Sequence, residues 1–434
     1  MDIEQNRKRD WNIMKAEKGL NILARMLLIL FVISATILPV LTTKAQEPEY
    51  DGYYSRFILH NAIALAFIVI ILFRALIRRK FKKNFLVGVL LLLAVYIGYN
   101  VLYYQNMDII QFPWAQYNTA ISLGLLIVLM ATETQTIFCD DKLIKIIIAI
   151  ILITNLIGIY VYYQGYLSMH MYNFKLYFHP FEFADYYERR FNWIYFYKCQ
   201  YSCILLLFVG FFVAHKDKFL NIIVYFLSLA VLFVCLYIAH TNTSMIGAGL
   251  IVAADLLDEF FKDHKFIIAK IIAVAAAAVV GIKYVLKWLS GERNLSTMGS
   301  RMPIWRAAVE KIKANPQGIG NRFVLNRDDW FHFDNFNTNN CHNIFLNEML
   351  RYSIPVGCCY AAFFIVTAIY SLIKKFSFSR LATWLAFFLA VSMDYSIQTP
   401  ELSMVMFMLY CIFFYPLEKI IRKKGVYQYA NDSR

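Results

Sequence analysis

Long runs of apolar residues, separated by short polar segments, form the main pattern of this chain. About twelve runs reach roughly 20 residues, the length that an α-helix needs to cross ~30 Å of hydrocarbon. The pattern predicts an all-α, polytopic membrane fold, and the 60% share of hydrophobic residues among 434 excludes an ordinary soluble protein. The spans are predicted near residues 20–41, 57–76, 85–104, 116–138, 144–162, 193–214, 219–239, 244–261, 266–288, 355–373, 381–399 and 402–418.

Lysine and arginine collect in alternate connections between these spans. The connections at 105–115, 240–243 and 400–401 contain neither residue, whereas the tail before the first span and the segment after the last are basic. Because cytoplasmic loops are enriched in Lys and Arg, both termini are predicted to be cytoplasmic and the three connections to face outward. The net charge of +14 follows from this topology and does not indicate nucleic-acid binding. The long charged tail favours a retained first helix over a cleaved signal peptide.

One hydrophilic stretch, residues 288–343, interrupts the apolar sequence and falls on the outward side by the same alternation. We expect a single membrane domain, 1–434, with a large outer catalytic loop at 288–354 and a smaller outer loop at 163–192. A membrane protein that carries so many polar residues in one loop is expected to perform its chemistry there.

Two short helices are predicted within the large loop. Residues 303–314 carry apolar side chains at helical spacing, with Pro in the first turn and Asn-Pro just after the end, which predicts the first helix. Gly318 and Gly320 then allow a tight turn. The second helix is predicted to open at His342 and to run to about Tyr352, which puts His342 at a helix start near the membrane surface.

The candidate chemical groups are outward-facing arginines and one histidine. A guanidinium stays charged and can hold phosphate oxygens in a bidentate fork, so Arg301 and the pair Arg189 and Arg190 suit an anionic lipid headgroup. Arg306 is expected only to touch bulk anionic lipid. His342 carries a side chain that titrates near neutral pH, so it can accept a proton from a sugar hydroxyl that attacks a donor.

Other polar clusters are interpreted as structural. Glu47, Glu49 and Asp51 suggest a metal site, but a solvated acidic loop is preferred because nothing makes their side chains converge. The acidic cluster at 328–334 is interpreted in the same way. Cys341 has no visible orienting partner, and none of the eight cysteines forms a C-x-x-C pair, so an inert thiol is preferred to a nucleophile.

Three motifs follow one another within residues 298–357. They are Ser-Arg-x-x-x-Trp at 300–305, Asn-Pro-x-Gly-x-Gly at 315–320, and His-Asn-x-x-Leu with a later Pro-x-Gly at 342–357. Their order and position resemble the O-antigen ligase and polysaccharide polymerase superfamily, which is Wzy/WaaL-like and of the GT-C membrane glycosyltransferase type. The rest of the chain agrees with that family only in span count and loop placement.

The resemblance implies a bacterial inner-membrane glycosyltransferase that takes a glycan from undecaprenyl diphosphate and transfers it to a hydroxyl acceptor with inversion. It implies no nucleotide sugar, no metal and no other cofactor. Arg301 is implied to bind the donor diphosphate, and His342 to orient or deprotonate the acceptor hydroxyl. Arg189 or Arg190 matches the family's arginine at the end of the earlier outer loop, although residues 191–193 lack the usual Gly- and Pro-containing pattern.

The same resemblance implies the supporting residues and the partners. Asn343 and Trp305 are predicted to support the site. The expected partners are an undecaprenyl-diphosphate-linked glycan donor, a glycan or lipid-linked acceptor, membrane lipid and other polysaccharide assembly proteins, with no nucleic acid.

Polymerases and ligases share these motifs, so more than one function is open. Polymerisation of repeat units into O-antigen, capsule or exopolysaccharide is preferred, because the sequence indicates no special acceptor. The alternative is a ligase that transfers the glycan to a lipid A core or another acceptor. A lipid-linked oligosaccharide flippase would have a similar number of helices, but the sequence shows neither internal repeats nor discontinuous helices. A non-catalytic partner of an envelope assembly machine is the third alternative.

Overall fold

The computed structural model of the protein describes most of the chain. The described residues are 2–38, 40–41, 50–78, 114–138, 141–172, 175–180, 190–195, 198–262, 301–320, 327–333, 336–393 and 401–417, together with residues 268, 272 and 283. The predicted span at 85–104 lies outside them, as does nearly all of the span at 266–288. Ser300, Arg189, Glu47, Glu49 and Asp334 also lie outside them.

The described part of the chain is mostly helical, as predicted. Each predicted span outside those two regions contains a helix. The helix of the first span ends at Thr36, with Val40–Leu41 in a strand, and the helix of the sixth begins at Lys198 rather than at residue 193. The helices are α1 Asp2–Thr36, α2 Tyr50–Arg78, α3 Trp114–Ala131, α4 Gln135–Phe138, α5 Lys142–Tyr163, α6 Lys198–Ala214, α7 Ile222–Ile238, α8 Asn242–Phe260, α9 Arg301–Ala314, α10 Ile344–Tyr352, α11 Ile354–Lys374, α12 Phe378–Met393 and α13 Leu402–Leu409, which continues as a π-helix over Tyr410–Phe414.

Within the described residues, four helical segments are long and apolar enough to cross a membrane. They are Met14–Thr36, Leu59–Arg78, Lys142–Tyr163 and Ile354–Lys374. Shorter apolar helices accompany them, among them Phe378–Met393. A membrane-type helical fold is therefore confirmed, while the number of about twelve spans stays a prediction.

Two small sheets depart from the all-α prediction. Strands β2 (Tyr166–Tyr172) and β3 (Lys175–Pro180) pair antiparallel within the predicted outer loop 163–192, and β1 (Val40–Leu41) adds to β2 in parallel. The second sheet is a short antiparallel pair, β4 (Phe331–Phe333) and β5 (Phe336–Thr338). The aromatic and β-branched side chains in these loops favour extended backbone. Their runs are too short for a pattern of apolar spans to reveal them.

The chain folds as two compact units. Unit 1 comprises Met1–Ile97, Pro113–Ala248 and Ile397–Arg434. Inside it α1 packs against α2, and α13 packs against α3. The buried ring of His60 lies 2.8 Å from the Ser34 hydroxyl oxygen and 2.7 Å from that of Ser403, so a polar contact joins α1, α2 and α13.

Unit 2 comprises Gly98–Phe112 and Gly249–Ser396, and it contains the motifs of the large loop. Helix α10 packs against α9, α11 and α12. At the amino-terminal end of α12, the Asp258 carboxylate accepts hydrogen bonds from the backbone N–H groups of Phe378 at 2.7 Å and Ser379 at 2.9 Å. These N–H groups belong to the first turn of α12, so Asp258 satisfies donors that the helix itself leaves unpaired.

Candidate functional site

Helix α9 forms as its sequence predicts and provides the first candidate residue. Ile304, Ala308 and Ile312 recur every four residues, and all three are buried. They form the core of the loop with Phe331, Cys341 and Leu350. Burial of this face sets the rotation of α9, with Arg301 as its first residue and Trp305 one turn further along.

Helix α10 begins two residues later than predicted, and this changes the setting of His342. The Asn343 side-chain oxygen accepts hydrogen bonds from the backbone N–H groups of Phe345 at 3.0 Å and Leu346 at 3.1 Å, so Asn343 is the N-cap. The helix therefore starts at Ile344. His342 lies just before the cap with φ 49°, in the left-handed region that a non-glycine residue rarely adopts.

Two asparagines hold His342 in this uncommon conformation. The Asn340 side-chain oxygen accepts from the His342 backbone N–H at 2.8 Å and from the Asn347 side-chain amide at 2.8 Å. The Asn347 side-chain oxygen in turn accepts from the Cys341 backbone N–H at 2.9 Å. Neither asparagine is among the site residues predicted from the sequence. The available signal was a polar residue, Asn347, on the apolar face of a predicted helix.

The first and third motifs meet at the carboxyl end of α12. Arg301 Nε donates a hydrogen bond to the Met393 carbonyl oxygen at 2.7 Å, and Asn343 Nδ2 donates to the Ser392 carbonyl oxygen at 3.4 Å. The last carbonyls of a helix carry partial negative charge, so they suit a guanidinium. The structure thus brings Arg301 and the residue that follows His342 to neighbouring carbonyls of one helix.

Trp305 makes a second connection between the two motifs. Its indole N–H donates to the carbonyl oxygen of Cys341 at 3.0 Å, and Cys341 is fully buried. Cys341 directly precedes His342 in the chain. Trp305 and Asn343 therefore contact the backbone on either side of the site, and their supporting role stays a prediction.

The Asn-Pro-x-Gly-x-Gly motif fastens the opposite end of α10. The backbone N–H groups of Ile319 and Gly320 donate to the carbonyls of Leu350 at 2.8 Å and Arg351 at 2.9 Å. Gly318 has φ +82°, and a Cβ built on it would lie 2.6 Å from the Arg351 carbonyl oxygen. Only glycine allows both this backbone conformation and this close approach. The motif therefore caps the last turn of α10.

The Pro-x-Gly motif has a related role on α11. A Cβ on Gly357 would collide with the Met349 side chain and lie 3.0 Å from the Phe345 carbonyl oxygen. The absence of a side chain at Gly357 thus lets α10 and α11 pack closely. Together with the turn at Gly318, it holds the helix that follows His342 at both ends.

Cys341 has the environment of an unreactive thiol. Burial raises the pKa of the Cys341 thiol to about 12. The nearby positive charges of Arg351 and Lys311 act to lower this pKa, but their effect is smaller than that of burial. Because the thiolate is the nucleophilic form, a protonated thiol at neutral pH agrees with the preference for an inert cysteine.

Arg190 lies in unit 1, between β3 and α6. It is partly buried and directly precedes Phe191, which is fully buried. Trp193 Nε1 donates to the Thr36 carbonyl oxygen at 3.0 Å, which anchors this segment to the end of α1. The assignment of Arg189 or Arg190 to donor binding stays a prediction.

The polar cluster around residue 332 makes contacts within its own loop. The two ring nitrogens of His332 lie 3.1 Å from the Asn337 side-chain oxygen and 3.0 Å from the Arg327 carbonyl oxygen. Lys311 donates to the Asp329 carbonyl oxygen. Within the described residues, no three His, Cys, Asp or Glu side chains cluster as metal ligands would.

The region that contains the three motifs is similar to a known protein family. Residues 227–361 match the Wzy_C family model, described as O-antigen ligase. The predicted resemblance to the O-antigen ligase and polymerase superfamily is thereby confirmed. The match covers Arg301, Trp305, His342 and Asn343, and it supports a ligase- or polymerase-type function in polysaccharide assembly. A search of curated proteins gives no match to this chain.

Proposed function

We propose that this chain, whose residues 227–361 match the O-antigen ligase family, is an inverting glycosyltransferase of the cytoplasmic membrane. In this proposal it polymerises undecaprenyl-diphosphate-linked oligosaccharide repeat units into a surface polysaccharide on the outer face of the membrane. The observation that carries the proposal is the meeting of Arg301 and Asn343 at the carboxyl end of α12. It brings Arg301 and the residue that follows His342 to neighbouring carbonyls of one helix, and this supports a site that combines a phosphate-binding cation with a proton acceptor.

Arg301 is assigned to the diphosphate of the donor. Its bond from Nε to the Met393 carbonyl fixes the plane of the guanidinium, and the proposal assigns its Nη groups to phosphate oxygens. A glycosyl diphosphate already contains a good leaving group. The principal need is therefore a cation that holds it and stabilises the charge that develops as the bond breaks.

His342 is assigned to the acceptor hydroxyl. The acceptor oxygen attacks the anomeric carbon of the donor, the bond from that carbon to the phosphate oxygen breaks, and the diphosphate leaves on the carrier lipid. The proton of the hydroxyl passes to the His342 imidazole. Attack opposite to the leaving group inverts the anomeric configuration. The left-handed backbone of His342 agrees with a functional position, because such conformations are retained where the surroundings impose them.

Arg189 and Arg190, in the earlier outer loop, are proposed to bind the donor diphosphate. Both termini are proposed to be cytoplasmic. In support, the connections at 105–115, 240–243 and 400–401 contain no Lys or Arg. The proposal needs no metal or nucleotide sugar, because the arginines supply the positive charge and the donor is already activated.

The test uses purified protein in lipid nanodiscs with the lipid-linked repeat unit as both donor and acceptor. We expect products that grow in steps of one repeat unit on the carrier, and His342→Ala should abolish them. His332→Ala is the matched control, because His332 is an exposed histidine of the same unit. Wild-type elongation by His342→Ala would contradict the assigned role.

The ligase alternative is separated from the polymerase by the glycan of a deletion strain. Loss of a polymerase leaves single repeat units at the cell surface. Loss of a ligase leaves long chains on the carrier lipid. Transfer of the glycan only to a different acceptor by the purified protein would also favour the ligase.

A further inference from the structure

Arg351, in the last turn of α10, is a buried cation that the proposed mechanism does not use. Its side chain is only 7% exposed. Its Nε and Nη1 atoms are both buried, and within the described part of the chain neither has a hydrogen-bond partner. Buried charges are normally paired or hydrogen-bonded, because removal from water is costly. A buried guanidinium whose Nε and Nη1 atoms have no hydrogen-bond partner among the described residues therefore needs an explanation.

The side chain extends towards the turn that contains His342. Side chains of a helix lean towards its amino terminus, so Arg351 lies beside Asn347, one turn earlier on the same face. Asn347 bonds to the Cys341 backbone N–H at 2.9 Å. The positive charge of Arg351 also acts to lower the pKa of the Cys341 thiol, which agrees with a guanidinium that points towards Cys341.

Among the described residues, the groups near Arg351 give its Nε and Nη1 atoms no hydrogen bond. The Cys341 thiol is protonated at neutral pH, since burial raises its pKa to about 12. Glu348, one turn earlier on α10, is buried and has interactions of its own. The bond from the Gly320 N–H to the Arg351 carbonyl fixes the backbone, so the side chain starts from a firmly held position.

A purely structural role explains only part of this arrangement. A cation in the last turn of a helix interacts favourably with its carbonyls, and that benefit is available to an exposed side chain as well. It does not explain a guanidinium that is nine-tenths buried and whose Nε and Nη1 atoms have no hydrogen bond within the described residues. A site that is complete only when a negatively charged group enters does explain it.

We propose that Arg351 binds an oxyanion of the substrate, a phosphate or a carboxylate, close to His342. This inference rests on the proposed function and extends it. The oxyanion has two possible sources, the diphosphate of the donor lipid and an acidic sugar of the repeat unit. In both cases the planar guanidinium would hold two oxygens at once.

The test compares thermal unfolding of the wild-type protein and of Arg351→Met, with inorganic pyrophosphate or with glucuronate as the probe. Methionine has a similar volume without charge. Without a probe, we expect Arg351→Met to unfold at a higher temperature, because a buried unpaired charge has been removed. A saturating probe should raise the midpoint of the wild type by about 2–4 °C and leave Arg351→Met unchanged.

Arg306→Met is the matched control, because Arg306 is an exposed arginine on α9. It should keep the wild-type response to the probe. A response to pyrophosphate alone identifies the donor headgroup, and a response to glucuronate alone identifies an acidic sugar. Glycan elongation should fall at least about 30-fold in Arg351→Met.

The proposal is overturned if neither probe shifts the wild type, or if Arg351→Met responds as the wild type does. If Arg351→Met fails to fold, the affinity of Arg351→Lys for the probe tests the proposal instead. An ammonium cannot form the bidentate fork, so affinity for the probe should fall about tenfold, and unchanged affinity would reject the site. His342→Ala separates this inference from the proposed function, because it should lose elongation yet keep the response to the probe.

Discussion

The indole N–H of Trp305 donates a hydrogen bond to the carbonyl oxygen of Cys341 at 3.0 Å. This bond joins the loop helix α9 to the residue before His342. Cys341 is fully buried, so its carbonyl has no water to replace the indole. The position of His342 therefore depends on Trp305, which lies 36 positions before Cys341 in the chain.

Trp305→Phe tests this dependence, since phenylalanine keeps an aromatic ring and loses the donor. An unsatisfied buried carbonyl costs about 1–3 kcal/mol, and we expect lower elongation activity with a small loss of stability. Val309→Ala on the exposed side of α9 is the control, with Val309 39% exposed. Activity of Trp305→Phe equal to that of Val309→Ala would show that the bond does not position the site.

Asn347→Asp tests the network that holds His342. Aspartate keeps the oxygen that accepts from the Cys341 N–H, but it loses the amide that donates to Asn340. Two oxygens would then face each other, so the turn at His342 should relax, and the new carboxylate beside Arg351 would occupy the guanidinium proposed to bind substrate. We expect reduced elongation with normal protein abundance, measured by complementation of a deletion strain. Full complementation would mean that His342 needs no such restraint.

Arg301→Lys separates charge from geometry at the proposed donor site. Lysine keeps the positive charge but cannot bond the Met393 carbonyl and hold two phosphate oxygens at once. Elongation is expected to fall by about 10²–10³, as for the loss of one preorganised donor to a developing anion. Arg306→Lys on the same helix should leave the rate unchanged. Equal rates in the two variants would remove Arg301 from the site.

Gly318→Ala tests the turn that caps α10. Alanine in the left-handed region costs about 1–2 kcal/mol, and its Cβ would also lie 2.6 Å from the Arg351 carbonyl oxygen. Gly165→Ala is the control, because Gly165 has φ +91° but nothing within 4 Å of the added Cβ. Thermal unfolding should show a larger loss for Gly318→Ala. Similar losses of stability in both variants would show that backbone strain alone explains the effect, without the close approach to Arg351.

Alkylation of Cys341 tests its buried, protonated state. In a variant with Cys341 as the only cysteine, the folded protein should react with a maleimide at pH 8 at least about a hundredfold more slowly than the denatured protein, because the folded pKa is about 12. The raised pKa means that the folded state keeps its proton. Stability is then present below the unfolded pKa and is lost as pH rises above about 9. Equally fast alkylation in both states would restore the nucleophile hypothesis.

The sequence by itself determined the features that depend on local pattern. Apolar runs indicated where helices form, because a helix satisfies its own backbone in a membrane. The spacing of Ile304, Ala308 and Ile312 predicted α9 to within two residues, since helical periodicity is local. The three ordered motifs also indicated the family that the match at 227–361 supports.

The tertiary structure alone decided how these residues meet. Arg301 reaches Met393, 92 positions away, and Asn343 reaches Ser392, 49 positions away. The conformation of His342 is set by Asn340 and Asn347, and the Asn343 cap sets the helix start at Ile344. The burial of the Arg351 guanidinium is equally invisible in the sequence. Burial and long-range hydrogen bonds depend on packing between distant segments, which no local periodicity encodes.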